Sequence, residues 1–164
     1  MRVAYDLADI QQLPAYYQVT IPEDYIDLMG HMNVSYYMQI FDQAGWEFFA
    51  SLGMDEAYYR SGEGGGFALT HIIRYLAEVR LGETVRVYTR VLGHSTKRVH
   101  FMQFIVNETR PAISATMEGL GSHANLQTRR TSPYPPRIFQ AIAERYNAHQ
   151  QLNWDAHASG IINA

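Results

Sequence analysis

Between Asn33 and Gly53 runs a helix-length segment that is apolar on almost every side, and four long alternating segments follow it. Tyr37, Phe41, Ala44, Phe48 and Leu52 recur at spacings of four, three, four and four, which is one stripe of a helix. Met38, Ile40, Trp46 and Phe49 fall on its other sides. The segment is therefore predicted to be a helix wrapped by other structure, ended by Gly53. A chain built this way has to place a large sheet around one helix.

The sheet is legible downstream. Residues 67–79 are predicted to form one long strand, with Leu69, His71, Ile73, Tyr75, Ala77 and Val79 on a common face. Residues 84–92 and 98–107 alternate β-branched or aromatic with polar residues, and 112–126 form a fourth strand. Short turns at Gly82-Glu83, at Gly93-His94-Ser95-Thr96 and at Glu108-Thr109-Arg110-Pro111 make this an antiparallel meander. Residues 17–21 read as a short first strand after an arm of 1–15. Residues 54–66 read as a helical turn and a flexible loop ending in Gly62-Glu63-Gly64-Gly65-Gly66. That glycine run is followed by a strand and by no Lys-Ser/Thr pair, so it is not a phosphate loop. Pro136 opens a last helix over 136–151, with Ile138, Ile142 and Tyr146 inward, and the tail from Asn153 is expected to be loose. No repeat or linker divides the 164 residues, so a single domain over 1–164 is expected, its core over 16–128.

Composition removes several function classes. A net charge of −3 with scattered basic residues leaves no footprint for nucleic acid or an anionic membrane. No apolar run approaches a membrane span and the N-terminus lacks the apolar core of a signal peptide, so a cytoplasmic protein is expected. With no cysteine there are no disulfides, thiolate metal sites or cysteine nucleophiles. The seven histidines lack His-x-x-x-His spacing, so no metal is expected. Twelve tyrosines, seven phenylalanines and two tryptophans exceed the needs of a minimal core; plain packing or a pocket accounts for them.

The chemistry gathers at Asp27-Leu28-Met29-Gly30-His31-Met32-Asn33, just ahead of the helix. A helix N-terminus carries unpaired N–H groups and partial positive charge, which can polarise a carbonyl. A nearby carboxylate can act on the same carbon or on a water. The plainer alternative is that Gly30 turns the chain and Asp27 or Asn33 caps the helix.

Asp27-x-x-Gly30-His31-x-Asn33, followed by Tyr37, Phe41, Ala44 and a helix end at Gly53, resembles the 4-hydroxybenzoyl-CoA thioesterase-like group of hotdog-fold acyl-CoA thioesterases. The likeness covers roughly residues 16–128. It implies an α+β hotdog fold, a long antiparallel sheet around a central helix with an added C-terminal helix. More narrowly, 70–79 with Lys97-Arg98-Val99-His100 is similar to the thioesterase domain fused to some carnitine dehydrogenases, associated with betainyl-CoA hydrolysis; this chain would be a stand-alone form.

The resemblance implies that Asp27 attacks the thioester carbonyl or activates water, that the Val34 backbone N–H meets the thioester oxygen, and that no cofactor beyond the coenzyme A of the substrate is needed. His31 either touches the carbonyl and water or braces the loop, and Asn33 either joins the chemistry or caps the helix. It also implies a homodimer or homotetramer with sites between subunits, to which Thr70, His71 and Arg74 would contribute. Tyr37, Trp46, Tyr58 and Phe67 would line the acyl pocket, as a cation–π cage for a trimethylammonium group or as walls for an aryl or alkyl chain. Lys97 and Arg98, or Arg129-Arg130, would face the phosphates of CoA. Two other classes compete: a hotdog 3-hydroxyacyl thioester dehydratase or hydratase, whose motif differs, and a non-catalytic acyl-CoA-binding protein.

Overall fold

A computed structural model describes residues 5–164. In chain order the elements are α1 (Leu7–Ile10), β1 (Ala15–Thr20), a 3-10 turn (Glu23–Tyr25), α2 (Val34–Ser51), α3 (Glu56–Ser61), β2 (Gly65–Tyr75), β3 (Thr84–His94), β4 (Arg98–Asn107), β5 (Ala112–Asn125), β6 (Arg130–Thr131) and α4 (Pro136–Gln150). The strand order is β1-β3-β4-β5-β2, with β6 beside β5. Strands β1 and β3 pair antiparallel with Val19 opposite Val85, and β5 pairs antiparallel with β6. The helix followed by long strands is the α+β order that the sequence predicts.

The chain packs as two compact units. Among the described residues, the first holds 5–45, 73–89 and 103–117, and the second holds 46–72, 90–102 and 118–164. In the first, Ile40, Phe41 and Ala44 of α2 are fully buried, as are Val85, Val87, Phe104 and Ile105. One polar cluster is built into its edge: the buried Glu83 carboxylate accepts from Asn107 Nδ2 at 2.7 Å, from the Arg80 N–H at 2.8 Å and from the Arg110 guanidinium. The Arg110 hydrogen bond, with help from the other donors, holds Glu83 down at about 2 against the penalty of burial.

In the second unit Phe101 lies over Gly119, where a Cβ would come within 2.6 Å of its ring, and Phe48 and Phe49 pack on that ring at 5.7 and 5.8 Å. Strand β5 is buried continuously from Ser114 to Ala124, so both its faces are covered. Helix α4 buries Ile138, Ile142 and His149, and Tyr146 is half-buried with its ring 5.1 Å from that of His94. The His149 Nδ1 accepts the Val91 N–H at 2.8 Å. Buried Arg90 donates to the carbonyls of His149 (3.3 Å), Leu152 (3.5 Å) and Trp154 (2.7 Å) and stacks on the Trp154 ring at 4.2 Å. A cation on the last carbonyls of a helix offsets the negative end of its dipole.

Several local expectations are corrected. Strand β2 stops at Tyr75, not 79, because the N–H groups of Leu76 and Ala77 converge on one carbonyl, that of Ser114, and the ladder ends there. On the face that carries them, Leu69 and Tyr75 are about half exposed. Strand β3 runs on through His94, so the turn begins two residues later than predicted. The arm contains α1, capped by Asp6 through the Ala8 N–H, and β1 begins at Ala15. The glycine run is not a loose loop: Gly64 and Gly65 are buried, and a Cβ on Gly64 would strike the His123 ring and come within 2.7 Å of Tyr58 Oη. The tail is packed, with Ala156 and Ile162 buried and the Ser159 N–H on Glu118 at 2.7 Å. Finally, α2 is not covered all round, since Trp46 is 54% exposed.

Candidate active site

The loop from Asp27 to Asn33 is a closed, hydrogen-bonded structure. Ile26 and Met32 form an antiparallel bridge, the Asp27 N–H donates to the His31 carbonyl at 3.1 Å, and the Gly30 N–H returns to the Asp27 carbonyl at 3.0 Å. Gly30 sits at φ +79° with no atom near the place of a Cβ, so backbone conformation rather than space demands glycine. The Met32 N–H donates to the Val79 carbonyl at 2.7 Å, which ties the loop to the segment after β2.

Within this frame the Asp27 carboxylate is aimed. One oxygen accepts the Met29 N–H at 2.9 Å and the other the Asn33 side-chain amide at 3.4 Å. Asn33 is also the cap of α2. Its Oδ1 accepts the Ser35 N–H at 3.0 Å and the Ser35 hydroxyl at 2.7 Å, while its carbonyl takes the Tyr36 N–H at 3.1 Å. Asn33 is therefore the helix cap, and the same side chain also donates to the Asp27 carboxylate. The Val34 N–H, at the positive end of the 18-residue α2, has no hydrogen-bond acceptor among the described residues.

Half-buried His31 sits beside them, its Nδ1 at 3.2 Å from the Met32 carbonyl. The tautomer that donates Nδ1–H there leaves Nε2 as an acceptor. Glu78, which the sequence reading passed over, lies within electrostatic range of His31. Its carboxyl is held below the ordinary range mainly by a hydrogen bond from Arg80 and that residue's charge, with smaller help from His31 and Arg110. Tyr25 was also passed over: its carbonyl accepts the Asn33 N–H at 2.9 Å and its ring stacks on Tyr36 at 3.9 Å. Its signal was weak, one aromatic among twelve tyrosines. Leu28, Met29 and Val34 stand exposed around this cluster.

The remaining predicted residues are placed as follows. Tyr37 is buried and donates its hydroxyl to the Ala77 carbonyl at 3.4 Å, bracing the segment after β2. In the second unit, Tyr58 is buried with its hydroxyl 2.7 Å from His123 Nε2 and with Arg137 over its ring. Burial holds the His123 imidazole below its usual range. Phe67 lies under the Arg129 guanidinium at 5.0 Å. Thr70 and His71 are exposed on β2, Arg74 is half-buried there, and Lys97 and Arg98 are exposed at the β3–β4 turn. Arg129 and Arg130 are exposed at β6. Trp46 lines a cleft of about 550 Å³ with Tyr59 and Met54. Among the described residues no cluster of His, Asp and Glu is arranged to hold a metal, and no helix is long and apolar enough to cross a membrane.

Comparison with known proteins adds to this geometry. A family model described as the thioesterase-like superfamily matches residues 21–142. An L-carnitine dehydrogenase/betainyl-CoA thioesterase of Agrobacterium fabrum is 32% identical over 140 residues, which is 85% of this chain and 28% of that protein. A betainyl-CoA thioesterase of Pseudomonas aeruginosa is 24% identical over 143 residues, 87% of this chain and 90% of that one. The chain spans less than a third of the length of the fused relatives it matches. Among solved structures, a Staphylococcus aureus protein in complex with CoA superposes with TM-score 0.82 at 23% identity, covering 93% of this chain and 96% of that one. A DHNA-CoA thioesterase from Staphylococcus aureus superposes with TM-score 0.70 at 19% identity, covering 78% and 87%. These likenesses establish the hotdog fold.

Proposed function

The chain belongs to the thioesterase-like superfamily, and from that premise we propose that it is a cytoplasmic acyl-CoA thioesterase, acting as one thioesterase domain with betainyl-CoA as the leading substrate. One observation carries the reading: Asn33 holds the Asp27 carboxylate with its side-chain amide and caps α2 through the Ser35 N–H, next to the unpaired N-terminal amide of Val34. The thioester oxygen lies on the Val34 N–H, where developing negative charge is stabilised by a donor already in position. Asp27 either attacks the carbonyl carbon, giving an anhydride that water opens, or removes a proton from the attacking water. In both cases the C–S bond breaks, and the products are the free acid and the CoA thiol. His31 Nε2 is an acceptor that can orient the water. The leaving thiolate needs no metal.

The open β2 edge, with Leu69, Thr70, His71 and Tyr75 exposed, supports pairing with a second copy in a homodimer or homotetramer. Lys97 and Arg98 then supply charge for the CoA phosphates. The test is release of CoA thiol from betainyl-, phenylacetyl-, hexanoyl- and palmitoyl-CoA by the wild type and by Asp27→Ala. Turnover of betainyl-CoA well above the others and lost in the variant is the expected result. Turnover that survives Asp27→Ala refutes the assigned role, and no turnover of any ester refutes the hydrolase reading.

A further inference from the structure

Four rings were expected to form an acyl pocket, and the structure uses three of them otherwise. Tyr37 is buried behind its bond to Ala77, while Tyr58 and Phe67 already have guanidinium groups over their faces, from Arg137 at 5.4 Å and Arg129 at 5.0 Å. Trp46 differs. Over half of it is exposed, and among the described residues no cation lies over it. The Tyr59 ring meets it edge-on, with centroids 5.3 Å apart at 77°, so the two rings form a corner at the cleft of about 550 Å³. That size lies inside the roughly 300–1,000 Å³ typical of small-molecule sites.

The charge around the corner is one-sided. Glu47, Asp55, Glu56 and Arg60 line the cleft. Arg60 is spent on Glu56, its Nε donating to Oε1 at 2.7 Å. Asp55 Oδ1 accepts the Tyr58 N–H at 2.9 Å, which caps α3 and fixes that carboxylate at the cleft. Glu47 has no hydrogen-bond or ion-pair partner among the described residues. A site with aromatic faces, uncompensated carboxylates and otherwise apolar walls suits a cation that carries no N–H and needs no short acceptor.

We propose that the Trp46–Tyr59 cleft is a binding site for a small quaternary ammonium group of the betaine type. Its cation preference follows from the lining alone; that the cation is the free betaine released by hydrolysis rests on the betainyl-CoA reading above.

The experiment is calorimetric titration of the full chain with tetramethylammonium and glycine betaine, against 3,3-dimethylbutyrate (the carbon isostere of betaine) and ethylammonium. Saturable binding of the two quaternary cations and none of the isostere is expected. Trp46→Ala should weaken binding roughly five- to thirty-fold, as loss of a cation–π contact implies, and Trp46→Phe should keep most of it. Equal binding of the isostere or of ethylammonium, or binding unchanged in Trp46→Ala, overturns the proposal. Circular dichroism on each variant confirms that a loss is not unfolding. Two kinetic arms separate the sources of the cation. A KM for betainyl-CoA that rises in Trp46→Ala while that for 3,3-dimethylbutyryl-CoA does not overturns the assignment to free betaine. Unchanged KM with lost betaine binding marks the free cation. If no thioester is hydrolysed, the titration still decides the cleft, so the two readings fail separately.

Discussion

His149 makes the stability of this fold depend on mild acid in a way that can be calculated. Its ring is 5% exposed, its Nδ1 accepts the Val91 N–H at 2.8 Å, and it is therefore the neutral Nε2–H tautomer. Protonation would drive a proton against that N–H. Burial first, then the charges of Arg145 and Arg90, hold the imidazole down at about 4. In the unfolded chain the value is about 6.5. Between these limits the unfolded state binds more protons, so stability is full above about pH 6.5 and falls as pH drops towards 4. From pH 7.5 to 5.0 the loss from this one group comes to about 2 kcal/mol. The assay is urea unfolding of the wild type and His149→Gln across that range, because glutamine cannot be protonated there and other titrating groups cancel in the difference. The stability gap between the two proteins should narrow by about 2 kcal/mol on acidification. A gap that stays flat with pH refutes the reasoning.

Asp27→Asn, which keeps the size of the side chain, should cut kcat for the best thioester by roughly 10²- to 10⁴-fold, with little change in KM, in a thiol-release assay. Asn33→Ala should lower stability by about 1 kcal/mol through the lost cap; Asn33→Ser should recover most of that stability but not the turnover, because only the amide reaches Asp27. Gly64→Ala should cost about 1–3 kcal/mol in thermal or urea unfolding, since the added carbon strikes His123 and the Tyr58 hydroxyl. Glu83→Gln should destabilise by about 1–2 kcal/mol at neutral pH, discounted for the half-exposed Arg110 partner. Since Glu83 is depressed to about 2, the wild-type advantage should persist above the ordinary carboxylate range and vanish as pH falls towards 2.

The elements set by periodicity were readable from the chain, and those set by contact were not. The α2 stripe through Phe41, Ala44 and Phe48 and the strands 84–94 and 98–107 follow from local patterning. The catalytic candidates Asp27, Asn33 and Val34 were equally legible, because turn, cap and helix start are short-range events. Gly64 misled, because a glycine that makes room for His123 looks in sequence like one that loosens a loop. The tail misled for a related reason: its anchors, Arg90 and Glu118, are far away in the chain. Trp46 belonged to the apolar helix by pattern and to a pocket by resemblance only, because periodicity carries no information on which side goes uncovered.

The Arg90 clamp ties the fate of the last helix to that of a central strand. Chain ends ordinarily fray at little cost, and their amides exchange with solvent long before the core opens. Here, unwinding the end of α4 would strip the guanidinium of the His149, Leu152 and Trp154 carbonyls while leaving it among the residues of β3. An uncompensated buried charge makes that partial opening expensive. Residues 149–154 should therefore open together with β3 as one cooperative unit, and their slowest amides should exchange at the rate of global unfolding.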